Sequence, residues 1–430
     1  MAAGSPAESQ AALARLAAER VDHRFKGLPP DADGLTVGAL AAQRRNLFTD
    51  GFTTPVLALS AERLRHNLEL METYAARHGL VFAPHGKTSM APQLFRRQIE
   101  HGAWGITLAV PHQVRVAREF GIDRIFLANE LVDEAALRWI AAELAEDVDF
   151  RFICYVDSVR GVELMDAALH GTPRPLDVVV ELAAGEGART GVRTEAECAV
   201  IADAVARATT LRLVGVAGYE GEVPRADPER VHAWLRRLTA LAADFDKAGR
   251  FTASGVEEIV VSAGGSAWFD AVADVFAEIP ELSLPVLKLL RSGAYVSHDD
   301  GHYRKLTPFT RVPEEGALHP AFRLWAQVVS RPSPEQAFVN AGKRDAAYDL
   351  DLPLAQVVRR DGAERPATGV SVTALSDQHA WLRTTPQADL EVGDWLGMGL
   401  SHPCTSFDKW QLIPLVEADG TVVDYIRTYF

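Results

Sequence analysis

From about residue 53 to residue 295 the chain repeats one rhythm: a short apolar or β-branched run, a loop, then an amphipathic stretch with helical spacing. After a first helical stretch, AERLRHNLELMETYAARHG, with Leu64, Leu68, Met71 and Tyr74 at helical intervals, eight strand candidates follow. They are LVFAP, WGITLAV, RIFLAN, FRFICYV, LDVVVELA, LRLVGVAG, EEIVVSAG and PVLKLLRSG. The runs are nearly continuous in apolar character rather than alternating, as parallel strands buried on both faces require. Eight is the number that closes an α/β barrel. An open doubly wound sheet shares the alternation, but no G-x-G-x-x-G follows the first strand. The expected fold class is therefore α/β, a (β/α)8 TIM-type barrel.

After about residue 315 the rhythm changes. FRLWAQVVSR, LPLAQVVRR, GVSVTALSDQHAWLRT and DWLGMGLSHP are strand-like, with little helix between them. The chain ends in two strands around Asp419-Gly420, a dipeptide that signals a type I′ hairpin. The expected organisation is a helical arm over 1–50 that packs on the β domain, a barrel over 51–310 and a C-terminal β-rich domain over 311–430.

The net charge of −14 argues against a nucleic-acid surface, whose footprint is a basic face. Cys154, Cys198 and Cys404 are too few and too scattered for a disulfide framework, which points to a reduced compartment. No apolar run reaches the length of a membrane-spanning helix, and the first residues lack the basic and apolar regions of a secretory signal. A cytoplasmic protein with no membrane partner is expected.

Reactive-looking residues fall just after the strand candidates, where the loops of an α/β barrel build its active site. Lys87 follows LVFAP, Arg189 follows VVVELAAGEGA, Tyr219 follows LVGVAG, Ser262 and Gly264 follow EEIVV, and Arg291 follows VLKLL. Most loop lysines are merely solvated, but a lysine desolvated at a barrel mouth becomes a nucleophile for Schiff-base chemistry. In SAGGS, the amides of Gly264 and Gly265 and the helix start near Ser266 can cradle a phosphate; RSGAY offers a second such loop. Two such loops at the end of a barrel match the phosphate site formed after strands seven and eight. In SHPC, His402 and Cys404 would point the same way on an extended strand and could share an ion such as Zn²⁺. On spacing alone, a buried cysteine beside an unrelated histidine explains H-x-C better. His379 in SDQHAW is a further candidate for the same site, as a catalytic residue.

As an ordered set, PHGKT, ARTGV, GYEGE, SAGGS, RSGAY and the late HPC resemble the fold-type III pyridoxal-phosphate enzymes with an alanine-racemase-like barrel. The resemblance is to the branch of D-serine dehydratases and D-threonine aldolases, including D-serine deaminase-like proteins, and covers roughly residues 50–430. It implies that Lys87 holds pyridoxal 5′-phosphate through a Schiff base and abstracts the substrate's α-proton. It further implies that Gly265, Ser266, Gly293 and Ala294 bind the phosphate with Tyr295 nearby, and that Tyr219 flanks the ring. Arg189 and Arg291 would serve the ring, its phenolate oxygen or the substrate carboxylate. His402 and Cys404 match the family's metal pair, zinc foremost, with manganese or magnesium as alternatives.

Aldolases of this family tend to carry aspartate at the second metal position and dehydratases cysteine. Cys404 therefore implies a dehydratase that eliminates the β-hydroxyl of a D-β-hydroxy amino acid (D-serine, D-threonine or 3-hydroxyaspartate), giving a 2-oxo acid and ammonia. The alternatives are retro-aldol cleavage, racemisation and a non-catalytic pyridoxal-phosphate carrier. Relatives of this architecture are usually homodimers. One departure is Glu220, at a position where relatives often have histidine.

Overall fold

The computed structural model describes residues 6–430. Two compact units emerge, one from 72–87 and 98–293 and the other from 11–71, 88–97 and 294–430.

The first unit contains the eight expected strands, all parallel. With a preceding strand β1 (Val56–Ser60), they are β2 (Val81–Phe82), β3 (Ile106–Leu108), β4 (Arg124–Glu130), β5 (Arg151–Val156), β6 (Leu176–Glu181), β7 (Leu211–Ala217), β8 (Ile259–Ala263) and β9 (Val286–Leu290). Their order is β2-β9-β8-β7-β6-β5-β4-β3. The seam between β3 and β2 is closed by backbone bonds: Trp104 N donates to the Phe82 carbonyl at 2.8 Å and Thr107 N to the Pro84 carbonyl at 2.9 Å. The sheet is thus a closed barrel. Ala83, Phe126, Ile153, Tyr155, Val179, Val214, Ala217, Val260, Leu287 and Leu289 form one buried cluster from six of the barrel's strands and the residue after β2. That explains the near-continuous apolar runs, since these strands bury both faces.

Several barrel helices begin where a side chain takes up an orphan amide. Asp133, Ser158 and Asp227 accept from Ala136, Gly161 and Arg230, and Thr194 with Glu197 forms a reciprocal capping box. Helix Pro228–Lys247 is also anchored by Trp234, whose Nε1 donates to the Ala183 carbonyl at 2.9 Å.

The second unit holds a sheet with the path β13-β12-β16-β10-β1-β17-β18, joined at β10 by β11, β15 and β14. Its strands are β10 (Phe322–Ser333), β11 (Gln336–Val339), β12 (Leu354–Arg360), β13 (Ala363–Pro366), β14 (Val370–Leu375), β15 (Ala380–Thr384), β16 (Trp395–Gly399), β17 (Leu412–Val416) and β18 (Val422–Arg427). Strand β1 departs from the expected boundaries. It pairs antiparallel with β10, Val56 opposite Trp325, and parallel with β17, Leu59 opposite Leu415. Residues 294–310, also expected with the barrel, fall in this unit as well. Val56 and Ala58 join Val21, Phe25, Leu28, Leu40, Trp325, Leu412 and Tyr425 in one buried cluster, so arm residues and the sheet share a core.

The terminal hairpin forms, but with a different turn. Gly420 N donates to the Glu417 carbonyl at 3.0 Å, Gly420 has φ +87°, and Asp419 is not left-handed. This is a type I turn closed by a left-handed glycine rather than the two-residue type I′ turn. Asp419 favours it because its carboxylate accepts Thr421 N at 2.9 Å.

Gly215 lies opposite Val260 across β7 and β8, where a Cβ would collide with the Val260 carbonyl oxygen. Gly215→Ala is expected to lower stability by about 1–3 kcal/mol, the usual cost of overpacking. Urea unfolding of the two proteins checks this, and an unchanged midpoint would show that the strands yield freely.

Candidate active site

Lys87 sits in a single turn, Gly86–Thr88, just past the short strand β2, and is half-buried. The chain leading to it is fixed on both sides. Ala83 N donates to the Leu290 carbonyl at 2.8 Å, and Thr107 Oγ1 donates to the Ala83 carbonyl at 2.6 Å. His85, two residues before the lysine, is pushed well below the usual imidazole range by burial, then by the charges of Lys87, Arg291 and Arg189, and its Nδ1 has no partner. It is a neutral ring beside the amine.

Arg291 follows β9 and is 5% exposed. One guanidinium nitrogen donates to the Gly218 carbonyl at 2.5 Å, the group lies 5.5 Å from the Phe126 ring centroid and 5.7 Å from that of Tyr155, and its Nε is unpartnered. The Tyr155 hydroxyl is buried and unpartnered too. Arg189 is placed differently: 71% exposed, ion-paired with Glu222 and set against the Tyr219 ring.

The glycine loop differs from expectation in one respect. Glu220, fully buried, accepts Gly264 N at 2.8 Å and Gly265 N at 2.6 Å. The two amides read as a phosphate cradle hold a carboxylate of the chain itself. The nest does bind an anion, but that capacity is taken up. Gly264 needs to be glycine, because φ is +105° and a Cβ would strike Leu290. A Cβ on Gly265 would come within 2.7 Å of the Tyr219 ring. Ser262 also departs from its expected role: its hydroxyl is buried and donates to the Leu289 carbonyl at 3.0 Å, tying β8 to β9. Ser266 and Ser292 meet at 3.3 Å, which brings the two phosphate-loop candidates side by side in the barrel unit. Gly293 ends that unit, and Ala294 and Tyr295 begin a buried turn, Ala294–Val296, of the other.

Composition and motif reading passed over a carboxyl pair at the ends of β4 and β6. Glu130 is pushed up to about 8, first by burial and then by Glu181 and Asp157. Glu181, 5% exposed, is raised as well, mainly by burial. Two carboxylates held together in a dry site cannot both ionise, so the pair retains a proton between them. Both Glu130 oxygens and Glu181 Oε2 lack any other partner. Each glutamate ends an apolar run, RIFLANE and VVVE, and that position was the signal available in the sequence.

In the second unit His402 and Cys404 are indeed neighbours, but not on a strand. His402 adopts φ +57° in the turn after β16, and Cys404 opens the short helix Cys404–Phe407. The thiol acts on the imidazole, as the first of the influences that raise it to about 9. Cys404 Sγ also lies 3.5 Å from the hydroxyl of Thr88, the residue after Lys87 in the chain. His379 is exposed in the turn between β14 and β15, and the structure does not bring it to the pair. Among the described residues, no three histidine, cysteine or acidic side chains are grouped as a metal would require.

The barrel residues suit an acceptor-rich anionic molecule with a carbonyl for Lys87. Arg291 Nε and the Tyr155 hydroxyl are buried donors without partners, and two serines line the paired loops. Imidazole and thiol suit a borderline-soft divalent metal.

The acid pair makes a testable statement. A carboxyl whose pKa is raised on folding favours the native state when protonated, and that contribution is lost as pH climbs through its folded value. Glu130→Gln keeps a neutral group there at every pH. Wild type and variant are expected to match near pH 5, and the variant is expected to be more stable by pH 8. Chemical denaturation across that range decides it, and a gap that does not change with pH would show that Glu130 is ionised throughout.

The alanine racemase N-terminal domain family matches residues 59–273, and the putative serine dehydratase domain matches 321–416. A D-threonine aldolase of an Arthrobacter species is 27% identical over 374 residues, covering 86% of this chain and 90% of that protein. A 3-hydroxy-D-aspartate aldolase of Paracoccus denitrificans is 27% identical over 365 residues, covering 83% and 87%. Among solved structures, D-threonine aldolase from Filomicrobium marinum matches with a TM-score of 0.71 at 25% identity, over 88% of this chain and 95% of that one. D-threo-3-hydroxyaspartate dehydratase from a Delftia species shares the fold at 21% identity and a TM-score of 0.68, over 88% and 98%. With half of its length matched by the alanine racemase domain, the chain belongs to that family, as a fold-type III pyridoxal-phosphate barrel joined to a D-serine dehydratase-like domain.

Proposed function

We propose that this protein is a pyridoxal-phosphate- and divalent-metal-dependent lyase that eliminates the β-hydroxyl of a D-β-hydroxy amino acid, releasing a 2-oxo acid and ammonia. The observation that carries the reading is the thiol of Cys404 beside the imidazole of His402 in a chain whose first barrel strand delivers Lys87. Pyridoxal phosphate, when bound, supplies a ring that takes up the electron pair left at Cα. His402 and Cys404 would hold the metal, which supplies the Lewis acidity that makes a hydroxyl a viable leaving group.

The chain's own groups account for the rest. The Lys87 amine would hold the carbonyl carbon of the cofactor and, once the substrate's own amine has taken its place there, would be free to accept the α-proton. His85 stays neutral and so adds no charge against that amine. Arg291, fixed by the Gly218 carbonyl, offers its unpartnered Nε to an acceptor, and Tyr155 offers its hydroxyl. Ser266 and Gly293 serve the phosphate, while Tyr219, braced by Gly265 and Arg189, flanks the ring. A homodimer in the cytoplasm, acting on a small D-amino acid, completes the proposal.

A second reading, retro-aldol cleavage, is favoured by the names of the relatives at 25–27% identity, which are aldolases. Products separate the two. Elimination from D-serine, D-threonine or D-3-hydroxyaspartate releases ammonia and a 2-oxo acid, whereas cleavage releases glycine and an aldehyde. The purified protein is expected to show a visible band that borohydride removes and that Lys87→Ala lacks. That variant should also lose turnover by on the order of 10³-fold or more. A protein that cannot be reconstituted with pyridoxal phosphate would overturn the reading, and glycine with an aldehyde as products would move it to the aldolase.

A further inference from the structure

Accepting His402 and Cys404 as the metal pair, the inference turns on what holds the imidazole. His402 Nδ1 lies 2.5 Å from Asp349 Oδ2, and the other oxygen of that carboxylate accepts the Thr405 hydroxyl at 2.8 Å. Asp349 therefore grips the residues immediately before and after the Pro403–Cys404 step. The backbone is held from elsewhere: His402 N donates to Asp299 Oδ2 at 2.9 Å, while Asp299 Oδ1 accepts Gly301 N, Tyr303 N and Arg304 N. His402 carries φ +57°, a conformation that a non-glycine residue keeps only when its surroundings enforce it.

A histidine ligand needs one nitrogen for the metal and a partner that fixes the other. A carboxylate is the strongest such partner, since it settles the tautomer and raises the basicity of the free nitrogen. With Nδ1–H donated to Asp349, the lone pair lies on Nε2. We propose that Asp349 is the positioning residue of the metal site, orienting His402 through Nδ1 so that Nε2 and the Cys404 thiolate present one donor pair. Asp349 is not itself a ligand, in keeping with the absence of a three-residue donor group among the described residues. It belongs to an exposed segment between β11 and β12, and no motif links it to SHPC in the sequence.

The test measures metal binding on the full-length protein, independently of turnover. Metal-free wild type, Asp349→Asn, Asp351→Asn and Cys404→Ser are titrated with Co²⁺, then with Zn²⁺ against a chromophoric chelator. Asp351 is the control, because it carries the same charge two residues away but pairs with Lys305. In wild type, Co²⁺ is expected to produce a thiolate charge-transfer band that Cys404→Ser lacks. Asp349→Asn should keep that band and the same d–d spectrum while binding about 10–100-fold more weakly. Asp351→Asn should stay within about twofold, with metal-free thermal unfolding unchanged in both variants. Equal affinity in Asp349→Asn and wild type would overturn the positioning role, and a changed d–d spectrum would make Asp349 a ligand instead. Wild type without a thiolate band would overturn the metal pair itself, a failure distinct from that of Asp349.

Discussion

The placement of Lys87 depends on Thr107. Strand β2 is two residues long, too short to fix by its own ladder the chain that follows it. The fully buried Thr107 makes up the difference, giving its backbone N–H to Pro84 and its hydroxyl to Ala83, while Ala83 N is spent on Leu290 across the other seam. The three residues before Gly86 are thereby held between the strands on either side. A lysine on an unsupported loop would spend its flexible stem's entropy each time it acted; here the backbone beneath it is already ordered.

The electrostatics of the barrel mouth follow from burial more than from charge count. The whole chain is acidic, yet the buried groups around Lys87 present few negative charges. Glu130 and Glu181 retain a proton between them, and the carboxylate of Glu220 is already met by the amides of Gly264 and Gly265. Arg291 brings a guanidinium to the same barrel, held by the Gly218 carbonyl. A net charge of −14 thus coexists with a barrel whose unpartnered buried donors, Arg291 Nε and the Tyr155 hydroxyl, suit an anion.

Local order was legible where local physics decides it. The eight apolar runs and the lysine after the first strand follow from residues close in sequence. What escaped depends on partners far along the chain. The run TPVLALS looks like any barrel strand, and only its pairing with Trp325 and Leu415 puts it in the other sheet. Ser262 reads as a loop hydroxyl until β9 supplies an acceptor for it. His402 and Cys404 come together through a left-handed turn, not the strand alternation that suggested them. Asp349, more than fifty residues from His402, carried no signal at all.

Glu220 shows how one side chain distributes work within such a site. Its carboxylate occupies the amides that the glycine loop would otherwise offer, and the loop's shape depends on it. Leu290 presses behind Gly264 and the Tyr219 ring presses in front of Gly265. Removing the carboxylate would leave the buried Gly264 N–H unsatisfied, at a cost of about 1–3 kcal/mol, and the half-buried Gly265 N–H without its acceptor. Glu220 is therefore part of the loop's structure and not a replaceable occupant. A phosphate sharing this end of the barrel must draw on donors beyond Gly265, and the meeting of Ser266 with Ser292 marks where they converge. On the proposed reading, the glutamate keeps the neighbouring loop against Tyr219 through its amides, leaving the phosphate to the serines and to Gly293.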